Sequence, residues 1–349
     1  MVRYKKSNGE SMAETSNTSH IANKIHNDIF KVFHWQVYSQ NDANFECVCD
    51  HHLGAGDKKK DTHPGDVVFH YFDPYLNKRV YLHTDLKAYA KASVKQGKIR
   101  DALKSLAMTV ECASITKTWR DKFQAIDGSP NEVRGLLFVA NHDNKSPATF
   151  RNLLKGISLA HIPVAKSQCL HILGPENISD LYTVSTDIKL AIQDKAISEK
   201  YAFFYPDLTM WKRHAATDER VGATIELLLS PYFIVRHGDI HDANGSVIQQ
   251  RGSVVYYSRA GDSIEEFVYL LDSLSHYQLV NSQESLRIRV FHRDRSTNLK
   301  NNFDKAKERY CEMWGFEGGR EDEIKSITID GIQQIAPNYK ADELGWREK

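Results

Sequence analysis

Two short apolar segments of the chain have the pattern of paired strands. Residues 66–72 and 79–87 are rich in Val, Phe, Tyr and Leu, and the link between them, Asp73-Pro74-Tyr75-Leu76-Asn77-Lys78, has a turn-forming composition. β-Branched and aromatic residues favour strands, whereas Asp, Pro and Asn favour turns. The pattern therefore predicts a β-hairpin.

The alternation of side chains also predicts the register of this hairpin. Successive side chains point to opposite faces of a strand, so each segment has one apolar row and one mixed row. A slip of one residue would set the apolar row of one strand against the polar row of the other. The register that matches the apolar rows puts Asp66 opposite Asp85, with Lys87 on the same face. His70 and His83 belong to that face too.

This mixed face has the groups that hold a divalent cation. Two adjacent carboxylates repel each other, and a bound cation removes that cost. Mg²⁺ takes oxygen ligands, commonly one or two carboxylates together with phosphate. The set formed by Asp66, Asp85 and Lys87 therefore points to phosphodiester chemistry. For a lone Asp-x-Lys, however, a surface hairpin with solvated charges is the favoured explanation, because such triplets are frequent by chance. His70 and His83 are proton-shuttle candidates, with histidines on an exposed face as the simpler expectation.

The apolar pattern around the hairpin predicts an α/β fold. The expected order is helix, three strands, helix and strand, formed by residues 21–33, 45–50, the two hairpin segments, 98–123 and 133–140. Further helices and strands alternate up to residue 230, which favours an extended α/β layer. Beyond residue 231 the pattern predicts an α+β module with helices over 264–277 and 299–314. No internal repeat is visible.

These elements predict four regions. Residues 1–20 are polar and are expected to form a disordered tail, and residues 21–142 are expected to form the core that contains the hairpin. Residues 143–230 are expected to extend it as α/β structure. Residues 231–349 are expected to form a C-terminal α+β module that contacts a partner or the substrate.

Composition narrows the class of protein. The chain has 349 residues, of which 41% are hydrophobic, and a formal net charge of only +1. It lacks both an apolar run long enough to span a membrane and an N-terminal apolar signal core, and its five scattered cysteines fit a reducing compartment, so a cytoplasmic protein is expected. Nucleic-acid binding would need a local basic patch. Lys58–Lys60 and the group Lys91, Lys95, Lys98 and Arg100 are candidates, with solvated surface charge as the alternative.

A second group of residues has a partial metal-ligand pattern. Cys47-x-Cys49-x-His51-His52, with His63 nearby, contains zinc-type ligands. Structural zinc sites usually have wider Cys-x₂₋₄-Cys spacing. Because Phe45, Cys47 and Cys49 share one face of the predicted strand, the pattern favours core cysteines over a zinc site.

The hairpin residues resemble the PD-(D/E)XK, or restriction-endonuclease-like, nuclease superfamily. The motif is present as Pro64-Gly65-Asp66 and Asp85-Leu86-Lys87, with Gly65 as a departure between Pro and Asp. The resemblance implies an αβββαβ core and Mg²⁺, or Mn²⁺, held by Asp66, Asp85 and the backbone carbonyl of Leu86. It also implies that Lys87 positions or polarises the water and the phosphate. Some families add an acid from the first helix, for which Asp28 is the candidate.

The wider chain is similar to nuclease subunits of GAPS-type anti-phage systems. The similarity lies in residues 27–33, 63–91 and 265–272. It implies a Mg²⁺-dependent DNA nuclease in bacterial defence that works with a second defence protein, forms a homo-oligomer, or does both. A catalytically silent binding or assembly subunit and an RNA-cleaving toxin remain the alternatives, since DNA and RNA cleavage use the same metal chemistry.

Overall fold

The computed structural model describes residues 20–38, 44–65, 67–89, 95–124, 130–141, 150–158, 160, 162–206, 221–334 and 339. The N-terminal tail expected over residues 1–20 lies outside them except for His20. The described residues fall into two compact units, one within Met1–Ser179 and Ala336–Lys349 and the other within Asp180–Ile335. The boundary lies inside one helix, Pro175–Gln193.

The first unit begins with a helix and contains most of the predicted core. Helix α1 covers residues 20–33 and ends in the π-helical turn His26–Phe30 and the 3₁₀ turn Lys31–Phe33. The elements that follow are β1 (Gln36–Tyr38), β2 (Phe45–Glu46), β3 (Thr62–His63), β4 (Val67–Asp73), β5 (Lys78–Tyr89), α2 (Gln96–Ile115), α3 (Lys117–Phe123), β6 (Asn131–Asn141), α4 (Phe150–Lys155) and β7 (Leu170–Leu173).

Five strands of this unit form a mixed sheet in the order β1-β4-β5-β6-β7. β1, β4 and β5 are antiparallel neighbours, while β6 and β7 continue the sheet in parallel. The path α1, β1, β4, β5, α2, β6 is the predicted αβββαβ core, so the α/β fold class is confirmed. The predicted hairpin register is confirmed as well, because Phe69 pairs with Leu82 and Tyr71 with Val80.

The first strand of the sheet differs from the prediction. Residues 45–50 were expected to supply it, but β1 (Gln36–Tyr38) pairs with β4 instead. β2 pairs with β3 in a separate two-stranded ribbon. The alternation in residues 45–50 has another cause: Phe45 packs in a buried cluster with Val68 and Trp119. One-sided burial gives a period of two in any extended segment, whether or not it joins the main sheet.

Both faces of the sheet are covered, which corrects the expectation of exposed histidines. On the apolar face, the α1 residue Phe30 lies against Phe69, with ring centroids 4.8 Å apart. On the mixed face, helices α2 and α3 cover the strands. His70 and His83 point to that second face and are only 4% and 3% exposed.

Gly135 shows how closely α2 approaches the sheet. A Cβ atom at this β6 position would lie 2.5 Å from Leu170 Cδ2 and 3.0 Å from Leu106 Cγ. These distances are too short for any side chain without movement of the neighbours. The absence of a side chain at residue 135 is therefore part of how α2 packs on β6.

The second unit contains a second five-stranded mixed sheet, in the order β14-β13-β12-β9-β8. Its elements are α5 (Pro175–Gln193, shared by both units), β8 (Tyr201–Phe203), α6 (Ile225–Leu228), β9 (Tyr232–His237), β10 (Ile240–His241), β11 (Val247–Gln249), β12 (Gly252–Tyr257), α7 (Ile264–His276), β13 (Ser285–Val290), α8 (Leu299–Trp314), α9 (Gly319–Ser326) and β14 (Thr328–Gly331). Helices α7 and α8 match the bounds predicted from their amphipathic spacing to within one residue. The region predicted over 143–230 is divided between the two sheets, since β7 joins the first and β8 the second.

Helix α7 has a side-chain cap and acidic residues at its N-terminus. Ser263 Oγ accepts a hydrogen bond from the Glu266 backbone N–H at 3.2 Å, and Glu265 and Glu266 lie in the first turn, where negative charge is favourable. None of the helices in the described part of the chain has the length and apolar character needed to cross a membrane.

Candidate functional site

Asp85 and Lys87 form an ion pair on the mixed face of β5. Lys87 Nζ lies 2.8 Å from Asp85 Oδ1, and the two side chains are 36% and 20% exposed. Residues two apart on a strand point to the same side, so the strand itself aligns the pair. The pair is therefore both held in place and reachable from solvent.

The pairing of β5 with β6 fixes the backbone that carries both side chains. The β5–β6 ladder continues through Asp85 and Lys87 to Tyr89, and the described pairs of β5 with β4 run from Asp73–Lys78 to Val67–Thr84. Asp85 and Lys87 therefore lie on a strand that the sheet holds in place.

His83 connects the strand that carries Asp85 with the segment that precedes residue 66. Its Nδ1 accepts a hydrogen bond from Trp119 Nε1–H at 3.2 Å, and its ring donates to the backbone carbonyl of Pro64. Burial lowers the pKa of His83 to about 4, so the ring is neutral at physiological pH. With both ring nitrogens bonded inside the protein, His83 holds the Pro64 segment next to β5.

The sequence of this unit matches one known protein family. Residues 12–177 match the family model described as the GAPS4 protein PD-(D/E)XK nuclease domain. This segment belongs to the PD-(D/E)XK nuclease family. The match confirms the resemblance seen in the hairpin motif, including the GAPS-type subgroup, and makes the segment a nuclease domain.

Two other comparisons give no further relatives. Neither the search of curated proteins nor the search of solved structures finds a match.

Asp66, the first acid of the nuclease motif, lies outside the described residues. Its neighbours are described: Gly65 is buried, and Val67 begins β4 and is fully buried. The pairs from Val67–Thr84 to Asp73–Lys78 keep a constant register along the whole described ladder. This is the register from which the sequence predicts that Asp66 faces Asp85.

The other candidate side chains of the nuclease domain have structural partners. His70 stacks on Tyr38, with ring centroids 4.8 Å apart. Asp28 Oδ2 accepts a hydrogen bond from the Tyr339 hydroxyl at 3.0 Å. His70 therefore belongs to a buried aromatic stack, and Asp28 to a contact between α1 and the C-terminal segment of the same unit.

The basic residues near the nuclease motif differ in their surroundings. Lys59 forms an ion pair with Asp50 in the loop before β3. Lys95, Lys98 and Arg100 are exposed at the start of α2, the helix that follows β5 in the sequence. Lys91 lies outside the described residues. Among the described basic candidates, the start of α2 has the more concentrated positive charge.

A second group of ligand-type side chains lies between the β2–β3 ribbon and α2. Metal-binding atoms of Cys47, His52, His63 and Cys112 all lie within 4.8 Å of one another. The expectation that Cys47 is only a core residue is incomplete, since it faces two histidines and a cysteine. Sequence spacing did not reveal Cys112, which is 60 residues beyond His52 and is brought to the group only by the packing of α2.

Proposed function

We propose that this protein is a Mg²⁺-dependent nuclease that hydrolyses DNA phosphodiester bonds and works in bacterial anti-phage defence as one part of a two-protein complex. The Asp85–Lys87 pair carries this proposal. It is partly exposed on β5, with Lys87 Nζ 2.8 Å from Asp85 Oδ1, inside the segment that matches a nuclease domain. The motif pattern of the family and the geometry of the strand thus select the same two side chains.

The residues present fit a hard divalent cation. Asp85 offers carboxylate oxygens at a partly open position, and we assign Asp66 and the backbone carbonyl of Leu86 as the other protein ligands. Oxygen donors of this kind suit Mg²⁺ and also Mn²⁺. When bound, the ion supplies Lewis acidity and lowers the pKa of a coordinated water.

Asp85 and Lys87 have separate tasks in this proposal. Asp85 holds the ion and, through its contact with Lys87, keeps the ammonium group directed at the same point. Lys87 places a positive charge beside the scissile phosphate and orients the attacking water. A positioned cation stabilises the charge that develops on the phosphate oxygens in the transition state.

The placement of Asp66 is supported by register. The described β4–β5 ladder keeps one register from Asp73–Lys78 to Val67–Thr84, and continuing that register by one residue would set Asp66 opposite Asp85. His83 bonds the Pro64 carbonyl from the position two residues before Asp85 on the same strand. Both observations favour a short separation between the two acids, as sharing one ion requires.

Contacts with the nucleic acid are assigned to the start of α2. Lys95, Lys98 and Arg100 are exposed there, and each can contact a backbone phosphate. We assign DNA as the substrate, as the resemblance to GAPS-type anti-phage nucleases implies. The C-terminal module is assigned to contacts with the second protein or with the substrate.

The decisive experiment measures DNA cleavage by variants of the proposed site and by variants of a similar ion pair elsewhere in the chain. Purified full-length protein, alone and with the protein encoded beside it, is incubated with linear and circular DNA in Mg²⁺. Asp85→Asn, Lys87→Ala and Asp66→Asn are each expected to reduce the cleavage rate by at least about 100-fold. The controls are Asp330→Asn and Lys300→Ala, which break an exposed ion pair of the same 2.8 Å length in the second unit.

The possible outcomes distinguish an error in the assigned site residues from an error in the assigned substrate. If the Asp85, Lys87 and Asp66 variants cut as fast as the controls, the site is wrong. If the wild type cuts RNA and leaves DNA intact, the substrate assignment is wrong while the site stands. If it binds DNA without cutting in Mg²⁺ or Mn²⁺, with or without its partner, the chain is a binding subunit.

A further inference from the structure

The two-stranded ribbon before the nuclease motif contacts α2 through four ligand-type side chains. Cys47 follows β2, His52 lies in the loop after it, His63 ends β3, and Cys112 is on α2. His52, His63 and Cys112 are completely buried, and Cys47 is partly buried. The hydrogen bonds of the ribbon fix the three ribbon residues close together, since Phe45 pairs with His63 and the Lys60 N–H donates to the His52 carbonyl.

One ring nitrogen is at the centre of this group. His52 Nδ1 lies 3.4 Å from Cys47 Sγ, 3.4 Å from Cys112 Sγ and 3.3 Å from His63 Nε2. The two sulfurs are 3.8 Å apart. A ring nitrogen has a single hydrogen or a single lone pair, so it can form one hydrogen bond here and not three. Hydrogen bonding alone does not account for the arrangement.

The four separations agree with a tetrahedron around one zinc ion. Zinc–sulfur bonds of about 2.3 Å and zinc–nitrogen bonds of about 2.0–2.1 Å give edges of about 3.8 Å between sulfurs, about 3.3–3.4 Å between nitrogens and about 3.5–3.6 Å between sulfur and nitrogen. The observed edges are 3.8, 3.3 and 3.4 Å in the same order. Each lies within 0.2 Å of the tetrahedral value, the tolerance expected for a true metal site.

The outer hydrogen bonds of both histidines direct their lone pairs inward. His52 Nε2–H donates to Glu111 Oε2 at 2.9 Å, which leaves Nδ1 as the acceptor. His63 Nδ1–H donates to Thr109 Oγ1 at 3.2 Å, since that hydroxyl already donates to the Ser105 carbonyl. The lone pairs of His52 Nδ1 and His63 Nε2 therefore face each other across 3.3 Å, an arrangement that a cation between them makes favourable. A carboxylate behind a metal-binding histidine is a common supporting partner.

A neighbouring set of ligand-type residues is explained without a metal. Cys49, His51, His52 and Glu111 also lie close together. In that set, however, Glu111 Oε2 accepts ordinary hydrogen bonds from His51 at 3.2 Å and His52 at 2.9 Å. His51 is also largely exposed, with 63% of its side chain accessible. Glu111 is therefore the supporting partner of the first set.

We infer that Cys47, His52, His63 and Cys112 bind one structural Zn²⁺ ion that fastens the β2–β3 ribbon to helix α2. Two cysteines and two histidines in a tetrahedron select zinc over magnesium or calcium, which need oxygen ligands. All four positions are filled by protein atoms, so no place remains for water or substrate. Binding displaces the two thiol protons to solvent and leaves both cysteines as thiolates.

The ion lies directly upstream of the nuclease motif. His63 is bonded to Pro64, whose carbonyl His83 holds from β5. The zinc site thus fixes one end of the segment that leads to Asp66 and ties it to α2. This inference is independent of the proposed nuclease activity, because zinc is measured whether or not the protein cuts DNA.

The first test measures the metal in the full-length protein. Protein purified without chelators and with reductant is expected to contain about one zinc per chain by elemental analysis. Replacement of zinc by Co²⁺ is expected to give the visible absorption bands of tetrahedral cobalt with thiolate charge transfer. Protein that holds no zinc and shows no such bands after reconstitution would overturn the inference, as would stoichiometric iron or copper in place of zinc.

The second test uses variants with matched controls. Cys112→Ser and His63→Ala are expected to reduce zinc content to below about a fifth of the wild-type value, whereas Cys169→Ser and His51→Ala keep it. Cys49→Ser is also expected to retain zinc. A Cys49→Ser protein that loses zinc while Cys47→Ser keeps it would overturn the assigned ligand set. A Cys47–Cys112 disulfide in protein kept under reductant, detected by thiol titration, would also overturn the ligand set. If a variant does not fold, the cobalt spectrum of the wild-type protein tests the zinc site instead.

Discussion

Trp119 and His83 form a buried hydrogen bond, in which the indole N–H of α3 donates to Nδ1 of a β5 histidine at 3.2 Å. Both side chains are almost completely inaccessible to solvent. Because the other ring nitrogen of His83 donates to the Pro64 carbonyl, one neutral histidine joins α3, β5 and the segment before Asp66. A polar group used in this way supports the geometry of the nuclease motif.

Trp119→Phe is expected to destabilise the first unit by about 3–4 kcal/mol, since it leaves the buried Nδ1 of His83 unpaired and removes buried ring volume. Hydrogen exchange of β5 amides in the full-length protein measures the effect. Trp314→Phe, at a position 58% exposed, is the control and should change stability by less than about 0.5 kcal/mol. In a double-mutant cycle with His83→Leu, a coupling below about 0.5 kcal/mol would show that the bond contributes nothing.

Gly135→Ala and Gly97→Ala are expected to have opposite effects. A Cβ at residue 135 would lie 2.5 Å from Leu170 Cδ2, while nothing lies within 4 Å of one at residue 97. Gly135→Ala should therefore cost about 1–3 kcal/mol by overpacking. Gly97→Ala, in the first turn of α2, should be neutral or stabilise by up to about 1 kcal/mol. Urea unfolding of the two variants compares them, and equal midpoints would contradict the packing of α2 on β6.

Substitution of basic residues at the start of α2 is expected to lower the affinity for DNA. It is also expected to make that affinity less sensitive to salt concentration. Each lost phosphate contact should reduce the slope of log K against log salt by about 0.9. The double variant Lys98→Ala/Arg100→Ala, measured on intact DNA in chelator, should therefore lose up to about 1.8 units of slope. Lys300→Ala, in the second unit, is the control. An unchanged slope in the double variant would exclude the start of α2 from the interface.

The stability of the second unit is expected to fall as the pH is lowered, because of His237. Burial lowers the pKa of His237 below its usual value of 6.5, an effect only partly offset by its hydrogen bond to the Gly238 carbonyl. Between the folded and unfolded pKa values the unfolded chain binds the extra proton, so stability is lost as the pH falls below about 6.5. His237→Gln should reduce the pH dependence of hydrogen exchange in β9, whereas His241→Gln, at an exposed position, should leave it unchanged.

The local elements of this protein were predictable because their signals are local. The hairpin of β4 and β5 follows from two apolar rows and a Pro- and Asn-containing turn, and its register follows from matching those rows. Helices α7 and α8 follow from an amphipathic period. The Asp85–Lys87 pair also belongs to this class, because residues two apart on one strand share a face in any fold.

The first strand of the sheet was not predictable in the same way. β1 has three residues, and what makes it a strand is its pairing with β4, as in the contact between Val37 and Phe69. Residues 45–50 alternate more clearly, yet they pack as a ribbon under α2 and α3. Periodicity reports which side of a segment is buried, but not which surface buries it.

The amino-acid sequence alone therefore determined the α/β class, the hairpin with its register, and the motif that marks a PD-(D/E)XK nuclease domain. Only the tertiary structure decided that His83 is a buried hydrogen-bonding centre and that Cys112 completes a Cys₂His₂ group with Cys47, His52 and His63. The physical reason for this difference is how far apart the interacting residues lie in the sequence. Backbone geometry links residues a few positions apart, whereas side chains 36 or 60 positions apart meet only when helices pack on the sheet and bury them together.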